Sequence, residues 1–326
     1  MTEPRALRPP YKIRYDLGRK KFGGVECPLG VFPAESQAEL QEGFESHFLM
    51  GDDGADDQCE YRLVLSSDRI FDVVRRLFIE LLPEEVLGLY EEFSYDAFRE
   101  TDTWRSADAV AKDRILQAWE TYGEYFIEDG KCGFGAYGEE PMIELFVEEH
   151  GTIYLACGYE LREQVEGLIA ELGIPEVEQL RCIDSYEHQH REILDLDDLT
   201  TMDDLDIKFS VIESLGMELS NRDEGGEEGP FPFWIYVELD FGLDAKAKAP
   251  SAFMSLGLTA TDHAEAEKLV ESNVLDRFPR AMISRYLQFY RLVREDIGDE
   301  IRPKDVRTIE RVGVWYESEA EFWKTT

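Results

Sequence analysis

Two histidines stand two residues apart in Tyr186-Glu-His-Gln-His190. In an extended strand, side chains two apart leave from one face, so His188 and His190 would point together, in line with Tyr186, Asp184 and Cys182. Imidazole, thiolate and carboxylate are the donors that zinc and other borderline transition metals prefer. His188, His190, Asp184 and Cys182 are therefore the candidate metal set. The competing reading is a polar sheet face whose histidines pair with nearby glutamates. Two histidines alone do not complete a tetrahedral site, and a hydrolytic metal enzyme would need further donors.

Other motifs carry less chemistry. Gly133-Phe-Gly-Ala-Tyr-Gly138 has the Gly-x-Gly-x-x-Gly spacing of dinucleotide loops. That mechanism requires the loop to open a helix whose N-terminus receives the pyrophosphate. Here Glu139, Glu140 and Pro141 follow, then a strand, so small residues in a tight or bulged strand are expected instead and no cofactor-binding loop is assigned. Asp195-Leu-Asp-Asp-Leu-Thr200 resembles the nucleophile motif of haloacid-dehalogenase-type phosphatases. That family places Thr or Val where Leu199 stands and a buried apolar strand before the motif, whereas Ser185 to Glu192 is polar; a solvated acidic linker fits better. The clusters Asp52-Asp53, Asp56-Asp57 and Asp203-Asp204-Leu-Asp206 lack the spacing of an EF-hand loop. The HExxH, GxSxG and GxxxxGK[ST] signatures are absent, so no catalytic residue is assigned from motif.

The elements that must hold these residues read as an α+β fold. Tyr61 to Leu65 is a strand, followed by a helix with Ile70, Val73, Val74, Leu77, Phe78 and Leu81 on one stripe. A second helix spans about Ser106 to Phe126, burying Val110, Ile115, Trp119, Tyr122 and Phe126. Met142 to Glu148 and Thr152 to Cys157 form a hairpin turned at His150-Gly151. A helix through Leu161 and Leu172 stops at Gly173 and Pro175. Cys182 to Ile193 and Ile207 to Ile212 read as strands, Phe233 to Phe241 and Ala252 to Ala260 as a strand pair, and Val306 to Tyr316 as a last strand. Helices are expected after Asp262, with Glu265 completing a capping box, and over Phe278 to Val293. The result is two modules of mostly antiparallel sheet with helices on one face, a layering compatible with ferredoxin-like arrangements. The expected divisions are a basic arm over 1–21, a domain over 22–195, an acidic linker over 196–206 and a second domain over 207–326.

The chain carries 71 acidic against 34 basic side chains, a net charge of −37 over 326 residues. That field disfavours nucleic acid and anionic membrane surfaces, both polyanions, and favours a basic protein partner. Adaptation to a salty cytoplasm would produce the same excess of carboxylates. The arm opposes the trend, with Arg5, Arg8, Lys12, Arg14, Arg19, Lys20 and Lys21 against Glu3 and Asp16, and it can lie back on the acidic body. Five scattered cysteines without a CxxC pair suit a reducing compartment, and the N-terminus lacks an apolar leader, so a cytoplasmic location is expected. On charge alone the first expectation is a non-enzymatic acidic interaction module, in one concrete form an immunity or inhibitor protein for a basic partner. The alternatives are a metal-dependent enzyme at His188 and His190, with a metal such as zinc as its cofactor, or a structural subunit assembling through Trp234 and Tyr236.

Overall fold

The structure is a computed structural model that describes residues 9–34, 40–51, 57–196, 201–222, 229–241 and 251–322. The acidic residues at 52–56, the stretch 197–200 of the phosphatase-like motif, and Arg5 and Arg8 of the basic arm lie outside them. Five helices and eighteen strands in antiparallel sheets make this an α+β fold among the described residues. The chain divides into two compact units: Met1–Glu92 with Thr103–Ser220, and Phe93–Asp102 with Asn221–Thr326. No helix of the described residues is long and apolar enough to cross a membrane.

The first unit begins with a small hairpin of β1 (Lys21–Phe22) and β2 (Val25–Glu26), then β3 (Val31–Pro33), β4 (Gly43–Leu49) and β5 (Gln58–Val64). Next come α1 (Ser67–Leu81), β6 (Glu85–Phe93), β7 (Thr101–Ser106), β8 (Val110–Ala111) and α2 (Lys112–Asp129). The meander β9 (Cys132–Gly138), β10 (Ile143–Val147) and β11 (Ile153–Gly158) leads into α3 (Arg162–Glu171), β12 (His188–His190), α4 (Asp204–Leu215) and β13 (Met217–Leu219). The main sheet runs β13-β7-β6-β9-β10-β11-β5-β4, with β8 added on β6. Its inward residues alternate as the pleat demands: Ile143, Leu145 and Val147 are buried while Glu144 between them is less so. The expected stripe of α1 is buried in full, and α2 buries Ile115, Trp119, Tyr122 and Phe126 beside it, but it begins only at Lys112, because Val110 is buried in the strand β8 that pairs with β6.

Gly133 and Gly135 behave as strand glycines. A Cβ on Gly133 would stand 2.5 Å from the Phe146 ring, and one on Gly135 would stand 2.3 Å from the Leu145 carbonyl oxygen and 2.7 Å from the Phe146 Cα. The glycine spacing thus admits a neighbouring ring and backbone. Gly135→Ala is expected to cost about 1–3 kcal/mol through overpacking, read as a lower urea midpoint with an unchanged slope.

Three expected strands or helices change type. Residues 207–212, whose alternating Ile207, Phe209 and Val211 suggested a strand, lie in α4. The end signals decide it: the Asp203 carboxylate accepts from the Asp206 amide at 2.8 Å, and Gly216 closes the helix at φ 60°. The expected helix over Phe278 to Val293 is the strand β16 (Met282–Arg291). Two register shifts against its neighbour, at Tyr236/Val237 and Glu238/Leu239, break its period of two and disguised it. The expected strand over Cys182 to Ile193 is a short 3-10 turn at Ile183–Ser185 followed by β12 alone. The last strand is likewise shorter than expected, at β17 (Gly313–Glu317).

The second unit is built on β14 (Phe231–Asp240), β15 (Ser251–Ala260), β16, β17 and β18 (Glu321–Phe322), in the order β16-β14-β15-β17 with β18 on β15. Helix α5 (His263–Arg277) lays Ala266, Val270 and Val274 on Phe233, Ile235, Val237, Leu239 and Leu256. Asp262 caps it by accepting from the Glu265 amide at 2.7 Å, while the Glu265 carboxylate accepts from Thr261. On the other face Trp234 packs against Tyr316 and Tyr236 against Phe253, each half-buried.

A buried ion cluster ties residues 93–102 into this unit. The Asp96 carboxylate, with 0% of its side chain exposed, accepts from Arg291 Nε at 2.9 Å, the Arg291 amide at 3.0 Å, Arg99 Nη1 at 3.1 Å and the Phe98 amide at 2.9 Å. The Arg291 guanidinium lies over the rings of Phe98 and Phe231. His263, buried against Phe233 and Phe289, sits beside the cluster. Burial, then the charges of Arg99 and Arg291, lower its pKa to about 4 despite the pull of Asp96. The folded state therefore keeps His263 neutral, whereas an unfolded chain protonates it near its ordinary 6.5. The resulting stability is fully present above about pH 6.5 and is lost as pH falls toward 4. A His263→Gln variant is expected to show a flatter fall in urea midpoint between pH 7 and pH 5 than the parent.

Candidate metal centre

The hairpin joining β10 to β11 turns through Glu148, Glu149, His150 and Gly151. The Gly151 amide donates to the Glu148 carbonyl at 2.9 Å, and the Glu148 amide to the Thr152 carbonyl at 2.8 Å. Gly151 takes φ 79°, the left-handed position that closes a three-residue hairpin loop. This geometry fixes His150 at the loop tip with its ring buried.

The opposing histidines come from β12, which pairs antiparallel with β3 so that His190 faces Val31 and Gln189 faces Phe32. Backbone bonds from the Arg191 amide to the Gly30 carbonyl and from the Ala34 amide to the Glu187 carbonyl clamp both ends. The Arg191 guanidinium donates to the carbonyls of Leu29, Leu17 and Gly18, and Ile193 and Leu194 beyond it are buried. Strand β3 is held in turn by the Glu128 carboxylate, which accepts from the Leu29 amide at 2.8 Å. Among the described residues of the basic arm, Lys12 pairs with Asp195 and Arg19 with Glu128 of this same unit.

Three of the chain's five histidines converge here: the ligand nitrogens of His150, His188 and His190 all lie within 4.8 Å of one another. Ring centroids stand 4.4 Å apart for His150 and His188, 5.3 Å for His150 and His190, and 5.1 Å for His188 and His190. Each ring has one nitrogen committed to an orienting acceptor. His150 Nδ1 bonds the Asp184 carboxylate, His188 Nδ1 donates to the Tyr186 carbonyl at 2.9 Å, and His190 donates to the Gly130 carbonyl. Gly130, at φ 72°, ends α2, so the negative end of that helix faces the cluster.

The hydrogen bonds assign the tautomers. A carbonyl and a carboxylate only accept, so His150 and His188 both carry a proton on Nδ1 and, when neutral, an acceptor lone pair on Nε2. Those two Nε2 atoms face each other at 3.2 Å. Two acceptors at that distance repel unless a proton or a cation lies between them. A tetrahedral zinc with Zn–N bonds of about 2.05 Å has ligand nitrogens about 3.3 Å apart.

Charges of both signs reach the cluster. Burial raises the Asp184 carboxyl, but the hydrogen bond and charge of His150 and the charge of His188 outweigh it and leave the group below its ordinary range. Burial, with the neighbouring charges of His150, His188 and Lys131, lowers His190 to about 4, which keeps its imidazole neutral and able to ligate. Glu149 and Asp184 stand within 4.8 Å of the His150 ligand atom, and the nearby Asp129 carboxyl is pushed up to about 7, mainly by burial.

Of the residues singled out in the sequence, His188 and His190 come together with His150, and Asp184 reaches the cluster as the partner of His150. Cys182 does not join them; its thiol faces the Ser185 hydroxyl at 3.7 Å, because the 3-10 turn at 183–185 takes it off the strand. His150 was missed because it comes from the hairpin tip. The available signal was an imidazole beside a turn glycine in a chain with few histidines. No protein-family model matches the chain, and comparison with curated proteins and with solved structures finds no match.

Proposed function

We propose that the first unit holds one zinc-class transition metal ion on His150, His188 and His190, and that the protein's function depends on this ion. The observation that carries the reading is the pair of Nε2 atoms, both left as acceptors by their Nδ1 bonds and standing 3.2 Å apart. Neutral imidazoles suit zinc better than magnesium or calcium, which prefer oxygen. Asp184 and the Tyr186 carbonyl supply the outer bonds that orient metal-binding histidines. The reading as an acidic partner-binding module rests on net charge alone.

Elemental analysis of protein purified without immobilised nickel is expected to give about one zinc per chain, lost in His150→Ala and in the His188→Ala/His190→Ala double variant. Equal metal content in parent and variants, or none in the parent after zinc addition and dialysis, would overturn the reading. Zinc at about 100 times its Kd should add about 2.7 kcal/mol to the unit's stability, a rise in Tm of roughly 5–10 °C that a chelator reverses. Asp184→Asn, which keeps the side chain's size but weakens the bond that orients His150, should reduce zinc affinity about 10–100-fold.

A further inference from the structure

We infer that this centre, resting on the metal reading above, is catalytic: it activates a metal-bound water to hydrolyse uncharged carboxylic esters and discriminates against phosphate esters. Structural zinc sites close four protein ligands around the ion, whereas catalytic sites keep three and leave the fourth position to water. Among the described residues the imidazole cluster contains three ligands, and no carboxylate or thiol joins all three. The best remaining donor, Cys182, faces Ser185 instead. The cluster reaches the surface through His188 and His190, which are only partly buried, while His150 is buried.

Charge selects the substrate. Glu149 and Asp184 flank His150 and Glu148 feels both of them, while two cations of this neighbourhood are already engaged, Arg62 by Glu148 at 3.5 Å and Lys131 by Glu192. A phosphate dianion approaching the ion would meet these carboxylates. One like charge about 6 Å away costs roughly a factor of 100 in affinity at the effective dielectric of a protein surface, and an uncharged ester escapes that cost.

The reaction balances without a redox partner. Metal-bound water releases a proton to solvent, and the hydroxide oxygen forms a bond to the ester carbonyl carbon. Collapse of the tetrahedral intermediate breaks the bond to the alkoxide, which takes a proton from solvent. Ester and water become carboxylic acid and alcohol, with the ion stabilising the oxyanion.

The test uses the full chain loaded with one zinc, offered p-nitrophenyl acetate and p-nitrophenyl phosphate, with free zinc and the His188→Ala/His190→Ala variant as controls. The expected result is acetate hydrolysis well above free zinc, lost in the variant, rising with a midpoint near about pH 7, and at least about 100-fold faster than phosphate hydrolysis. Cobalt in place of zinc should show a visible spectrum that changes over the same pH range as the bound water ionises. Comparable phosphate turnover would overturn the substrate class. One zinc bound per chain with no ester hydrolysis above free zinc, or a cobalt spectrum unchanged by pH, would overturn the catalytic inference while leaving the metal reading standing. Failure to bind zinc at all would instead overturn the metal reading and this inference with it.

Discussion

Replacing Asp96 by Ala should destabilise the second unit by about 3–5 kcal/mol, enough to populate its unfolded form at modest urea. The carboxylate is the shared acceptor for two arginines whose side chains are only 3% and 5% exposed. Its removal takes from the buried Arg291 guanidinium the carboxylate at 2.9 Å and takes away the acceptor of the Arg291 and Phe98 amides. Arg99 retains Asp102 at 2.6 Å. An Arg291→Met companion separates the two contributions. If the damage comes from an orphaned charge, the double variant should recover part of the stability lost in Asp96→Ala. Additive losses would show that the hydrogen bonds of Asp96 to the backbone matter more than its ion pair.

Phe126→Ala should cost the first unit about 3–5 kcal/mol by leaving a cavity at the centre of its aromatic stack. The ring is fully buried, lies 4.6 Å from Phe134 at an interplanar angle of 10°, and touches the neighbourhoods of Trp119, Tyr90 and Tyr122. Trp119 is itself held by its indole N–H, which donates to the Phe71 carbonyl, so the wall facing the cavity is not free to collapse. Phe126→Leu retains much of the volume and should cost under about 1.5 kcal/mol. Tryptophan fluorescence during urea unfolding is the measurement, because Trp119 reports from the stack itself. A Phe126→Ala midpoint close to that of Phe126→Leu would mean that the site relaxes around the gap.

The hairpin at 143–157, the stripe of α1 and the stop at Gly173 were legible because one local rule governs each: alternation, helical spacing, or a left-handed cap. Strand β16 was not, because register shifts against β14 destroy the alternation a reader needs. Helix α4 had an alternating apolar run that imitated a strand, and its Asp203 and Gly216 ends carried the decisive information. The candidate site divides in the same way. His188 and His190 could be paired from spacing alone, since they share one short strand. His150 could not, because its approach depends on β12 pairing with β3 and on α2 ending beneath it, contacts between segments far apart in the chain.

The second unit is discontinuous, taking Phe93–Asp102 from between two strands of the first unit's sheet. During synthesis, Asp96 therefore leaves the ribosome about 195 residues before Arg291, its buried counter-ion. The first unit has all the strands of its described residues once Leu219 has emerged, while Asp96 still waits in water without Arg291. The late half then docks onto a segment whose two ends the earlier sheet already constrains, which shortens the search for that pairing. A fragment starting at residue 221 would carry Arg291 into a core without Asp96, so expression of the second unit alone requires the 93–102 segment to be supplied as well.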